Sequence, residues 1–206
     1  MTAIPPGLEQ VRLIVPVKRL GAAKTRLSSD PESRRSAAEQ LLIRTLRITT
    51  ACLAPAQVAV LTADPAVMRR AYSLGASVLT DAATDLNSAL HVAVNELRHR
   101  HRQSTIVVLV ADLPRLTPTE LRLALTDATR SVVSRHVADH HGTGTTFVSI
   151  PPGTRLPMVF GEGSAQNFAR LGSVLMTGAP RGLRTDLDTP TDPFQLEVNP
   201  EQMSGR

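Results

Sequence analysis

Four cations fall within nine positions of one short stretch, Pro16-Val17-Lys18-Arg19-Leu20-Gly21-Ala22-Ala23-Lys24-Thr25-Arg26-Leu27. Lysines and arginines in a glycine-bearing loop can clamp a polyphosphate. A solvated basic loop explains the same residues about as well. The stretch is not a Walker-type phosphate loop, because Lys24-Thr25 lacks the flanking glycines, and with one glycine it is not a dinucleotide fingerprint. Aspartates stand elsewhere as counterparts. Asp112 ends the apolar run Thr105 to Ala111, and Asp186 and Asp188 sit in Thr185-Asp186-Leu187-Asp188-Thr189-Pro190. Carboxylates placed this way suit Mg²⁺, which bridges protein oxygens and substrate phosphates. The structural alternatives are a turn aspartate before Pro114 and a helix cap at Asp188, with Asp186 expected to serve structure. Two glycine stretches, Gly142-Thr143-Gly144-Thr145 and Phe160-Gly161-Glu162-Gly163-Ser164, let backbone N–H groups approach an anion, or simply make tight turns. His140-His141 carries little metal signal, since adjacent side chains diverge.

Elements must exist that bring these residues together. The chain has 206 residues, 42% hydrophobic and 20% charged, so it can bury a core and is not disordered. The formal net charge of +5 points to anionic partners, while 2% aromatics argues against a base-stacking nucleic-acid platform. The lone Cys52 excludes an internal disulfide and a multi-cysteine metal knuckle. No apolar run is long enough for a membrane span, and Met1 to Gln10 does not read as a secretory signal, so a cytoplasmic location is expected.

Short apolar runs alternate with helical patterns. Strands are expected at Leu13–Val17, Gln57–Thr62, Ser77–Thr80, Thr105–Ala111, Val132–Ala138, Thr145–Ile150, Ser173–Met176 and Leu183–Leu187. Helices are expected from Asp30-Pro31 to about Cys52, at Pro65–Leu74, at Asn87–Arg102, from the capping box Thr117-Pro118-Thr119-Glu120 to about Thr129, at Ser164–Leu171 and from Pro190. Arg98-His99-Arg100-His101-Arg102 reads as a solvated helix end. The expected fold class is α/β, one domain over residues 11–198 with tails at 1–10 and 199–206. Its mostly parallel mixed sheet has helices on both faces and binds ligands beyond the carboxyl ends of the strands.

The ordered set of these motifs, from Pro16-Val17-Lys18 with Lys24-Thr25-Arg26-Leu27, through Ala111-Asp112-Leu113-Pro114, Gly142-Thr143-Gly144-Thr145 and Phe160-Gly161-Glu162-Gly163-Ser164, to Asp186-Leu187-Asp188-Thr189-Pro190, resembles the 2-phospho-L-lactate guanylyltransferase family (CofC). The likeness runs from about Leu13 to Leu196 and extends to its actinobacterial phosphoenolpyruvate guanylyltransferase branch (FbiD). The resemblance implies a single-domain Rossmann-like nucleotidyltransferase fold of the GT-A type. It implies transfer of GMP from GTP to phosphoenolpyruvate or 2-phospho-L-lactate, with release of pyrophosphate, as a step toward coenzyme F420. It further implies that Lys18, Lys24 and Arg26 hold the GTP triphosphate, with Lys24 catalytic. Asp112 and Asp188 would be catalytic metal ligands for Mg²⁺, and Thr145, Gly161 and Ser164 would bind the acceptor. Asp85-Leu86-Asn87 resembles a Gly-Leu-Asn segment near the nucleotide, with Asp85 in place of the glycine, so Asn87 is expected on the GTP side. Nucleic acid and membrane are not expected partners. The alternatives are another nucleotidyltransferase of the same fold, acting on molybdenum cofactor or a sugar phosphate, and a non-catalytic basic domain that binds RNA.

Overall fold

A computed structural model describes residues 7–17, 31–81, 83 and 85–186. Among these residues seven strands form one sheet: β1 (Val11–Pro16), β2 (Val58–Thr62), β3 (Ser77–Thr80), β4 (Thr105–Leu109), β5 (Arg135–Ala138), β6 (Thr145–Ile150) and β7 (Val174–Leu175). Their spatial order is β3-β2-β1-β4-β6-β5-β7. β3, β2, β1 and β4 are parallel neighbours, β6 runs antiparallel to both β4 and β5, and β7 pairs parallel with β5. This is the expected mixed, mostly parallel α/β sheet.

The apolar runs sort by alternation onto two faces. Leu13, Val15, Val58, Val60, Val107 and Leu109 pack on one side, while Ile14, Ala59, Leu61, Ile106 and Val108 pack on the other. Burial on both faces is why these strands read as continuous hydrophobic stretches. The first face is covered by α1 (Pro31–Thr50), α2 (Pro65–Ser73) and α4 (Pro118–Arg130), through residues such as Leu42, Val67 and Leu121. The second is covered by α3 (Leu86–Arg100) and α5 (Ser164–Arg170), through Leu90 and Phe168. The expected capping box forms at α4, where the Thr117 hydroxyl accepts from the Glu120 N–H and the Glu120 carboxylate accepts from the Thr117 N–H. The core includes a residue ahead of β1: Leu8 is buried and its carbonyl accepts from the Gln57 side-chain amide.

Three expectations need correction. Leu183–Leu187 is not a strand where it is described, because Arg181–Arg184 forms one helical turn, α6. The Thr185 N–H and hydroxyl both donate to the Arg181 carbonyl, and the Gly182 N–H donates to the Glu120 carboxylate. A single apolar residue, Leu183, gave that segment no alternation to read. The β5 strand is also shorter than expected, since Val132 and Val133 lie outside it and are exposed.

The third correction concerns Arg98, which is not a solvated charge. Its guanidinium donates to the carbonyls of Ser104, Ile150, Pro151 and Arg102, tying the end of α3 to the end of β6. Burial pulls its pKa down. Arg100 does stay at the surface, paired with Glu96 at 2.7 Å. Because Arg98→Met strands several half-buried carbonyls, it should cost about 2 kcal/mol in urea denaturation, while Arg100→Met should fall within about 0.5 kcal/mol.

His136 lies fully buried on β5, with Nδ1 3.0 Å from the Ser173 hydroxyl and its ring stacked toward Phe168. Burial lowers its pKa, so the fold favours the neutral ring. The unfolded chain takes up the proton below about 6.5, so stability is full above that value and falls as pH drops beneath it. His101 acts in the same direction, through burial first and then Arg12 and Arg100. Thermal melts across pH 5 to 8 should show this decline, with a shallower slope in His136→Gln.

Candidate active site

The parallel strands direct their carboxyl ends to one edge. There β1 delivers Val17, whose N–H donates to the Leu61 carbonyl at the end of β2. β4 delivers Asp112 to the same edge. The chain beyond β4 still follows β6, with the Val110 N–H donating to the Thr146 carbonyl, and the Thr45 hydroxyl of α1 holds the Ala111 carbonyl at 3.0 Å. Arg44 holds the Leu116 carbonyl, so the turn bearing Asp112 is anchored on both sides by α1. Asp112 itself is half-buried.

Because β6 runs antiparallel, it contributes its first residues to this edge. A bulge beside Val137 and Ala138 breaks the alternation there: Phe147 pairs with Val137, but Thr145 pairs with Ala138. The extra residue turns Thr146 to the α6 side, where its hydroxyl donates to the Leu183 carbonyl at 2.7 Å. Thr145 turns to the α5 side, where its hydroxyl accepts from the Ser164 hydroxyl at 3.0 Å. Both hydroxyls are buried. With Thr145 already accepting, its own proton is available to an anion, so the pair can act as a short donor relay.

The turn between β5 and β6 is built on Asp139. Its carboxylate is buried and accepts from the N–H groups of Thr143 (2.9 Å) and Gly144 (2.8 Å). A Cβ on Gly144 would collide with that carboxylate, so glycine is required for the close approach. Arg184 donates to the Ala138 and Asp139 carbonyls from outside. The turn in turn holds α5, since the Thr143 carbonyl accepts from the Ala165 N–H. Ahead of α5, Gly163 takes a left-handed conformation (φ 68°) that brings Ser164 into place. The Ser164 N–H is spent on the Gly161 carbonyl, so Ser164 faces the site through its hydroxyl rather than its amide.

Asn87 lies in the first turn of α3, behind Asp85. The Asp85 carboxylate caps that helix, accepting from the N–H groups of Asn87 and Ser88 and from the Ser88 hydroxyl. The Ser88 hydroxyl, foremost, holds the Asp85 pKa below the usual carboxylate range. Asp85 has an ordinary extended backbone, so no glycine is needed there. The Asn87 amide is directed at the backbone of Phe160.

The structure therefore gathers Asp112, Thr145, Gly161, Ser164 and Asn87 around one end of the sheet. Lys18, Lys24, Arg26 and Asp188 lie outside the described residues. Asp186 is placed, with Oδ1 3.4 Å from His140 Nδ1, but the strand that was to aim it alongside Asp188 is absent from its described part. Among the described residues no three His, Cys, Asp or Glu side chains group as a metal site. The rings of His140 and His141 pack on each other at 3.8 Å. Asp139 and Thr45 were missed as positioning residues. An aspartate preceding a glycine turn is a legible signal for the first; nothing local marks the second.

A family model described as guanylyl transferase CofC like matches residues 11–168. The phosphoenolpyruvate guanylyltransferase of Nocardia farcinica is 39% identical over 188 residues, covering 88% of this chain and 83% of the relative. That of Salinispora arenicola is 39% identical over 189 residues, covering 87% and 84%. The crystal structure of 4-diphosphocytidyl-2C-methyl-D-erythritol synthase superposes with a TM-score of 0.59 at 14% identity, covering 91% of this chain and 97% of that one, and shares the fold. The match spans the sheet edge from β1 to α5, and the chain belongs to the CofC-like guanylyl transferase family.

Proposed function

We propose that this chain transfers GMP from GTP to phosphoenolpyruvate and releases pyrophosphate. The observation that carries the reading is the Ser164–Thr145 hydroxyl pair, set at the edge where β4 delivers Asp112, in a chain akin to proteins named phosphoenolpyruvate guanylyltransferase. A phosphate oxygen of the acceptor attacks the α-phosphorus of GTP. The new phosphorus–oxygen bond forms as the bond to the β-phosphate oxygen breaks, and pyrophosphate leaves with that electron pair. The attacking phosphate is already an anion, so no protein nucleophile is required. Catalysis is alignment plus neutralisation of charge.

In this reading the Thr145 hydroxyl, its direction set by Ser164, donates to the acceptor's phosphate or carboxylate. The glycine turn at Gly161 lets that anion approach the backbone closely. Lys18, Lys24 and Arg26 bind the triphosphate and stabilise the charge growing on pyrophosphate. Asp112 and Asp188 would hold Mg²⁺, which when bound supplies charge neutralisation shared between the two substrates. The reaction serves coenzyme F420 synthesis and takes place in the cytoplasm. The test is pyrophosphate release with Mg²⁺ and each nucleoside triphosphate, against phosphoenolpyruvate, 2-phospho-L-lactate and 3-phosphoglycerate. Turnover with GTP and phosphoenolpyruvate is expected. No turnover with GTP and any of the three acids would overturn the proposal, and turnover with 2-phospho-L-lactate alone would replace the acceptor.

A further inference from the structure

We infer that Asn87 is a positioning residue for the acceptor loop, acting through Phe160, and not a contact to the nucleotide. The inference rests on the reading of Thr145, Gly161 and Ser164 as the acceptor's site. The Asn87 side-chain oxygen accepts from the Phe160 N–H at 2.7 Å, and the side-chain nitrogen donates to the Phe160 carbonyl at 3.0 Å. One amide thus pairs with both polar groups of one backbone residue, as a neighbouring strand would. Two bonds to a single residue fix the orientation of its flanking peptides, where one bond would leave rotation about it.

Phe160 is the last residue before a stretch with great conformational freedom. Gly161 has φ 125° and Gly163 has φ 68°, and glycine loses more entropy on ordering than any other residue. The loop has to be held at both ends for its backbone to be ready for an anion. At its far end Ser164 and Ala165 are held by Thr145 and Thr143. At its near end the holding is done by Asn87, with help from the Phe160 ring packed edge-on against Phe168 at 5.2 Å. The turn that carries Asn87 is itself capped by Asp85. An asparagine is the side chain of this length that offers a donor and an acceptor together. Aspartate would keep the bond to the Phe160 N–H but set an anionic oxygen against the Phe160 carbonyl.

The test is steady-state kinetics with GTP and phosphoenolpyruvate varied separately, in wild type, Asn87→Ala, Asn87→Asp and Ser164→Ala. Asn87→Ala should raise the acceptor KM about tenfold or more and leave the GTP KM within about twofold, the loss of two modest hydrogen bonds being felt at the acceptor alone. Asn87→Asp should show the same split, which keeps the inference open to refutation if the alanine variant is poorly folded. Hydrogen exchange at the Phe160 amide should be protected in wild type and fast in Asn87→Ala. A GTP KM that rises as much as the acceptor KM, no change in either, or an unprotected Phe160 amide in wild type would each overturn the inference while the reaction stands. A Ser164→Ala variant with an unchanged acceptor KM would overturn the acceptor-site reading instead, and the inference with it.

Discussion

Asp112→Asn should lower turnover of GTP and phosphoenolpyruvate by about a hundredfold or more, with the melting temperature close to that of wild type. Asparagine matches aspartate in shape and removes the negative charge. The backbone on both sides stays anchored in the variant, because the Thr45 hydroxyl holds the Ala111 carbonyl and Arg44 holds the Leu116 carbonyl. In the proposed reaction, what goes is one anionic oxygen that would hold Mg²⁺ between two highly charged substrates. Neutralisation of transferring phosphoryl groups is worth several kcal/mol, and each 1.36 kcal/mol is about tenfold in rate. Pyrophosphate release across a Mg²⁺ titration checks this. Activity within about tenfold of wild type, at saturating Mg²⁺, would remove Asp112 from the metal site and leave its role structural.

Asp139→Ala has the largest expected effect on stability. The buried carboxylate takes two backbone N–H groups, and alanine would leave both without it inside a turn that has no slack. Each bond to a charged partner is worth about 1.5–3 kcal/mol, so a loss of about 3 kcal/mol in urea denaturation is expected. Asp139→Asn keeps one accepting oxygen and should lose about half as much. Function should follow stability here, because the Thr143 carbonyl is the anchor of the Ala165 N–H. The acceptor KM should rise in Asp139→Asn even at temperatures where the variant is fully folded. A destabilisation below about 0.5 kcal/mol in the alanine variant would mean that water replaces the carboxylate in the turn.

What could be read in the sequence was local. The Thr105–Ala111 run gave a buried central strand and marked Asp112 at its end, because an ionisable residue directly after an apolar run has to sit at an edge of the core. Thr117 and Glu120 announced α4 because a capping box is written within four residues. The glycines around Thr145 and Ser164 announced turns, and resemblance, not spacing, gave those residues a ligand. Contacts between distant segments were not legible. Asn87 and Phe160 meet only because α3 and the loop ahead of α5 cover the same face of the sheet. Arg98 looked like one of many surface arginines, and only the fold puts the carbonyls of Ile150 and Pro151 within its reach. The helical turn at Arg181–Arg184 depends on Glu120, which receives the Gly182 N–H from across the molecule.

The bulge in β6 makes residue count as decisive as residue identity. Thr145 and Thr146 are the same amino acid, yet one hydroxyl meets Ser164 and the other meets Leu183 on the opposite side of the sheet. Deleting either threonine yields the same protein sequence, and strict alternation would turn the one that is left away from Phe147, to the α5 side. A single-codon deletion would thus keep a hydroxyl toward Ser164 and cut the tie to Leu183 that seats α6, whereas exchanging Thr146 for serine, which retains a hydroxyl at the proper count, should keep both.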